Sequence, residues 1–196
     1  MTTTSSGIGS PFVVLREPVQ SVQAALKKLS DDWYEGLVRD GTYTRDEVHA
    51  LAAPRKKVSW VPPKKKLFGP VTFVAISGDR VIGGVDLYQN QRDGYWFLEQ
   101  MIRDQAPGFH GVGKPLYDAA VAWLVSTLQG GYFELRVHSL NKEQRSLRFW
   151  TNYVFQRSPD FRDAFVKSRG KTFDAVYWIS RHRNESSRLT ARLRSD

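Results

Sequence analysis

The residues best suited to chemistry lie in one short glycine-rich run, Gly108-Phe109-His110-Gly111-Val112-Gly113-Lys114-Pro115. An apolar, aromatic stretch precedes it and a helical pattern follows, so the run is predicted to join a strand to the start of a helix. Glycines there let the backbone close on a ligand. The N–H groups at the helix start, aided by the helix dipole, bind anionic phosphate. Lys114 would stand near that phosphate, with a solvated lysine as the competing reading. His110, in the same loop, suits ligand contact better than acid–base work.

Two nucleotide-binding patterns come close and fail. The spacing Gly108-x4-Gly113-Lys114 reproduces a Walker A loop through its seventh position. The eighth should carry the hydroxyl that binds Mg²⁺, and Pro115 has none. A dinucleotide fingerprint needs glycine where Leu116 stands, and its βαβ context is missing. The chain has no cysteine, hence no disulfide and no thiolate nucleophile. His49, His110, His138 and His182 show no metal-ligand spacing, and no metal is expected.

The elements that must position the loop follow from periodicity. Phe12 to Leu15 is a short β-branched run ended by Pro18 and reads as a first strand. Val22, Ala25, Leu26, Leu29, Trp33 and Leu37 recur every three or four residues, predicting an amphipathic helix from Ser21 to about Asp40. Thr44 with Glu47 is a capping-box pattern opening a second, short helix. Strands are predicted over 71–76, 80–88 and 95–103, the first two joined by a Ser77-Gly78-Asp79 turn and Gly83-Gly84 marking a bulge. After the glycine loop, Leu116, Ala119, Ala120, Trp123 and Leu124 line one face of a helix over 115–128, with Pro115 in its first turn. A strand over 132–137, a helix over 143–153, an irregular stretch over 155–171 and a strand over 176–179 complete the order.

The chain is long enough, at 196 residues, for one self-supporting domain. Residues 1–10 read as a disordered lead-in, 11–183 as the domain and 184–196 as a basic tail. No apolar run spans a bilayer and no signal pattern opens the chain, so no membrane partner is expected and the cytoplasm is the default location. Lys and Arg number 29 against 20 Asp and Glu, a net charge of +9, which favours an anionic partner. The stretch Arg55 to Lys66 holds six basic residues with Pro62 and Pro63 and is predicted to be an exposed loop. A solvated linker and an anion contact are both open readings of it.

With these elements in order, the chain resembles the GNAT superfamily of acetyl-CoA-dependent N-acyltransferases. His110 to Ala120 looks like that family's motif A, with Gly111 and Gly113 as the motif glycines. Asn141 followed by Ser146-Leu-Arg-Phe-Trp-Thr-Asn-Tyr-Val-Phe155 looks like its later motif. The resemblance implies a single α/β (mixed α+β) domain. Its mostly antiparallel sheet of six to seven strands is splayed between the fourth (95–103) and fifth (132–137), with about four flanking helices. Departures are present. Gly108 replaces the usual Gln or Arg, Arg103 lies near a commonly apolar position, and two extra residues separate Asn141 from the helix block. Trp150 takes the place of a frequent tyrosine whose hydroxyl can protonate the leaving thiolate, which tryptophan cannot.

The resemblance implies acetyl-CoA as co-substrate, with backbone from Met101, Ile102 and Arg103 along its arm, loop residues Phe109 to Lys114 at its phosphates, and Asn141 nearby. It implies Glu99 as the base that deprotonates the amine, at a position where some family members keep a catalytic Glu. Strand alternation turning Glu99 to solvent is the equal alternative. Tyr153 is the candidate for the missing acid, with a core aromatic as the competing reading, and His138 is a weaker proton shuttle. The acceptor is a primary amine, consistent with one linked to nucleic acid (tRNA or DNA) or protein. In the nucleic-acid case, loop 55–66 and the arginine-rich tail would contact phosphate. Dimers are common in the family, so a homodimer is compatible. The alternative from another class is a non-catalytic, basic nucleic-acid-binding module on a degenerate GNAT scaffold.

Overall fold

The computed structural model describes residues 3–5, 12–52, 67–90, 96–106, 108–127, 131–140, 144–155, 163–168 and 174–184. In chain order these form β1 (Thr3–Ser5), β2 (Phe12–Glu17), α1 (Val19–Arg39), α2 (Arg45–Ala52), β3 (Leu67–Ser77), β4 (Arg80–Asn90) and β5 (Trp96–Arg103). Then come α3 (Gly113–Thr127), β6 (Gly131–Leu140), α4 (Gln144–Arg148) running into a π-helical segment (Phe149–Phe155), β7 (Asp163–Ser168) and β8 (Asp174–Asn184). The strands make one sheet in the order β1-β2-β3-β4-β5-β6-β8-β7. Every neighbouring pair is antiparallel except β5 and β6.

The mixed α/β, mostly antiparallel architecture is the expected one, with two differences at its margins. Thr3–Ser5, in the expected disordered lead-in, pairs with β2 as a short edge strand. Asp163–Ser168, inside the stretch read as irregular, is strand β7, paired with β8 from Asp163↔Ile179 to Ser168↔Asp174. Its charged Asp163 and Lys167 blur the apolar pattern, as residues of an outer strand commonly do.

Helix α1 covers one face of the sheet because its stripe repeats at helical spacing: Val22, Leu26 and Leu29 are buried with Val74 and Ile102. Helix α3 covers the other, where Leu116, Ala120 and Leu124 pack among Val14, Phe73, Val85, Leu87 and Leu98. Strand β3 lies between both helices. Val71 to Ala75 is therefore buried without a break, as expected of a strand covered on both faces. Its one polar member, Thr72, donates to Asp86 Oδ1 at 2.7 Å. The capping box forms as the sequence indicated: Thr44 N–H donates to Glu47 Oε2 at 2.7 Å, and Glu47 N–H to Thr44 Oγ1 at 3.2 Å.

The adjacent glycines of β4 mark where both helices come close. A β-carbon on Gly84 would stand 2.3 Å from Leu26 Cδ2 of α1. One on Gly83 would stand 2.8 Å from Val112 Cγ1 and 3.0 Å from the Ile102 carbonyl oxygen. The expected bulge lies beside them, in a register shift between Ala75↔Gly83 and Ile76↔Val81.

A second register shift, between β4 and β5, shapes the site. Leu87 pairs with Leu98 and Asp86 with Gln100, so Glu99 is the inserted residue. One extra residue reverses the alternation of a strand. Before it, the even-numbered Trp96 and Leu98 pack on the α3 side; after it, Met101 packs there while Ile102 joins the α1 cluster.

Candidate active site

The sheet parts between β5 and β6. Their parallel register holds only at Trp96↔Leu135 and Phe97↔Arg136, so no β6 residue is registered opposite the remainder of β5. Into the parting opens a cavity of about 310 Å³. It is lined by Met101, Ile102 and Arg103 of β5, Gly111, Gly113 and Lys114 of the glycine loop and α3, and Ser146, Phe149 and Tyr153 of α4 and its π extension. Trp33 of α1, with Gln105 and Arg145, completes the wall. Trp33 packs with the α1 cluster and Phe149 and Tyr153 with the α3 cluster. The cavity therefore draws its walls from both faces of the sheet. Among the described residues, Arg103, Lys114 and Arg145 are its charged members, a cationic set suited to a phosphorylated ligand.

The glycine loop is held from below and from its entrance. Val112 is fully buried, with Leu116, against Gly83. Gly111 has φ +80° and no atom near a would-be β-carbon, a backbone shape open to glycine and strained for other residues. Helix α3 starts at Gly113 with no acidic residue in its first turn, and amides at a helix start have no acceptor within the helix. At the entrance, Asp104 is nearly buried, 7% exposed. Its N–H donates to the Ile82 carbonyl at 2.7 Å, its Oδ1 accepts from Ala106 N–H at 2.8 Å, and its Oδ2 accepts from Arg80. The Arg80 guanidinium also lies over the Phe109 ring, 5.4 Å from its centre. Asp104 thereby ties the hairpin end of β4 to the first turns of the loop.

Aromatic rings fill the floor between α3 and the π segment. Trp150 is 2% exposed and belongs to the core. Tyr153, three residues on, reaches the cavity wall. Its hydroxyl donates to Asp118, with Oδ1 at 2.6 Å and Oδ2 at 2.7 Å, and Lys114 Nζ lies 5.3 Å from its ring centre. Tyr117 packs edge-on against Phe149, Trp150 and Tyr153. Burial, with the Asp118 charge and Tyr153 adding to it, raises the Tyr117 phenol above its ordinary range, so it stays neutral.

Of the residues singled out in the sequence, Met101, Ile102, Arg103, Gly111, Gly113, Lys114 and Tyr153 meet in the one cavity. Val112 lies beneath it, Phe109 packs beside the core and His110 is exposed on the loop. Glu99 is the bulge residue of β5, and His138 falls within β6, in register with Tyr177. Asn141, loop 55–66 and residues 185–196 lie outside the described residues. Trp33, Gln105, Arg145 and Asp118 were not anticipated. Trp33 gave only a helix-face signal, and the contacts of the others span 35 residues (Tyr153 to Asp118) or 40 (Arg145 to Gln105) of chain. Among the described residues no cluster of metal-ligating side chains occurs, and no helix is long and apolar enough to cross a membrane.

No protein-family model and no curated protein matches the chain. Solved structures do. A putative acetyltransferase of the GNAT family from Desulfovibrio desulfuricans aligns over 88% of this chain and 99% of its own, with TM-score 0.54 and 13% identity. An N-acetyltransferase from Staphylococcus aureus aligns over 89% and 99%, with TM-score 0.54 and 10% identity. An aminoglycoside 6'-acetyltransferase type Ii aligns over 85% and 95%, with TM-score 0.54 and 9% identity. The chain has the fold of the GNAT acetyltransferases.

Proposed function

We propose that this chain transfers an acetyl or other acyl group from acyl-CoA to a primary amine. The observation that carries the reading is the cavity in the parting of β5 and β6, bounded by the glycine loop at the start of α3. Acyl-CoA supplies the activated thioester. The residues present suit it: the amides at the start of α3, with Lys114 and Arg103, offer a cationic seat for a pyrophosphate. A β5 N–H beyond the last β6 pair polarises the thioester oxygen, an oxyanion-type contact.

Glu99 takes the proton from the amine, directly or through water, since an ammonium ion is no nucleophile. What supports it is its place at the bulge, where β5 leaves simple alternation. Glu99→Gln is expected to lower turnover at neutral pH by about a hundredfold with little change in acetyl-CoA affinity. Unchanged turnover would remove Glu99 from the mechanism. Tyr153 returns a proton to the departing thiolate.

Calorimetric titration of acetyl-CoA into the purified protein tests the reading as a whole. Binding in the micromolar range is expected, and is expected to vanish in Gly113→Glu, which sets a carboxylate at the helix start. A β-carbon at Gly113 meets nothing nearer than Phe149 Cε2 at 3.5 Å, so the variant should fold. No binding to the unaltered chain would make the loop structural and end the acyl-transfer reading.

A further inference from the structure

A second cavity adjoins the first and differs from it in character. It measures about 430 Å³ and lies along the C-terminal end of α1, facing the start of α4. Trp33, Gln105 and Arg145 line both cavities, so the two are contiguous at these side chains. The first reaches the glycine loop; the second reaches Arg39, Asp40 and Thr42 and touches no residue of that loop.

Among the described residues its charges are two guanidiniums, Arg39 and Arg145, and one carboxylate, Asp40. Among the described residues Arg39 pairs only with Asp40, with Nε 3.9 Å from Oδ1 and both side chains well exposed, a pairing worth little in water. Arg145 donates to the neutral Gln105 Oε1 at a long 3.4 Å. Neither guanidinium is committed to a close carboxylate. Three carbonyls near the end of α1, which would otherwise attract a cation, already accept hydrogen bonds. Gly36 and Val38 accept from Asp40 and Gly41, and Leu37 accepts from both Thr42 and Tyr43. The groove thus presents two forked donors of a geometry that matches carboxylate or phosphate, with Arg103 and Lys114 adding positive charge in the adjoining cavity.

Resting on the acyl-transfer reading, we infer that this groove receives the acceptor, and that the acceptor is an amine bearing an anionic group, carboxylate or phosphate, held by Arg39 and Arg145. Its amine points past Trp33 toward the parting of the sheet. Amines carrying only positive charge meet repulsion from the same side chains.

The test compares matched acceptors with acetyl-CoA as donor: β-alanine against β-alaninamide, O-phosphoethanolamine against ethanolamine, and spermidine as the polycation. At least one anionic member is expected to exceed its uncharged partner in kcat/KM by about tenfold or more, the effect of one charge-assisted contact. Which pair responds distinguishes carboxylate from phosphate. Arg39→Gln is expected to erase that preference through KM, and Arg39→Lys to restore part of it. Equal rates within both pairs, a preference for spermidine, or a preference that survives Arg39→Gln would overturn the inference. Acetyl-CoA titration run alongside separates the two claims. Donor binding without acceptor preference sinks only the groove assignment. Loss of donor binding sinks the acyl-transfer reading, and the groove assignment with it.

Discussion

Tyr153→Phe is expected to reduce kcat about a hundredfold, the range of a single positioned acid, while acetyl-CoA affinity stays within about twofold. The side chain keeps its ring on the cavity wall and loses only the hydroxyl. Among the lining residues, Ser146 offers the other hydroxyl, a far weaker acid than a phenol. Trp150, buried in the core, cannot substitute, and Tyr117 is buried and not among the lining residues. Two neighbours surround Tyr153: Lys114 Nζ lies 5.3 Å from its ring centre, and the hydroxyl donates to Asp118, so it must turn from that carboxylate to deliver its proton to the thiolate. Release of free CoA thiol under saturating substrates, followed beside calorimetric titration, measures both quantities. If turnover is unchanged in Tyr153→Phe, the thiolate leaves without help and Tyr153 is a wall residue only.

The second large effect is expected in stability. Gly83→Val should destabilise the chain by about 3 kcal/mol, the upper range for overpacking a well-filled core, and Gly83→Ala by less. The new side chain would meet Val112 and Leu116 on one side and the Ile102 carbonyl oxygen on another. The carbonyl belongs to the backbone of β5, where it has little room to yield. Because Val112 seats the glycine loop, the same change should weaken acetyl-CoA binding. Urea unfolding, with Gly113→Ala as the comparison, checks the claim: a β-carbon at Gly113 makes only ordinary contacts. Equal midpoints for Gly83→Ala and Gly113→Ala would mean that the α3 side of the sheet is looser than described.

What could be read in the sequence was local. The α1 stripe, the Thr44–Glu47 capping box, the Gly78-Asp79 turn and the strand-loop-helix setting of Gly111 and Gly113 each depend on residues within a few positions of one another, and all formed. The stretch from Met101 to Arg103 was singled out through the family resemblance, not from its own residues, and it lines the cavity. Pairings across long spans were not legible. Nothing within residues 163–168 announces that they pair with β8, and nothing near Tyr153 points to Asp118. Trp33 has the helical spacing of a core residue, and only the packing of α1 over the parted sheet brings it to the cavity. The insertion at Glu99 was equally hidden, since register is a property of two strands and the sequence presents one at a time.

The double-faced cavity has a consequence for traffic. A donor lying along the glycine loop would leave the groove beside α1 open, so on the proposed reading neither reactant needs to depart before the other arrives. The acyl group can then pass in one direct encounter. A chain without cysteine, the readiest side chain for holding such a group in transit, is in keeping with that economy.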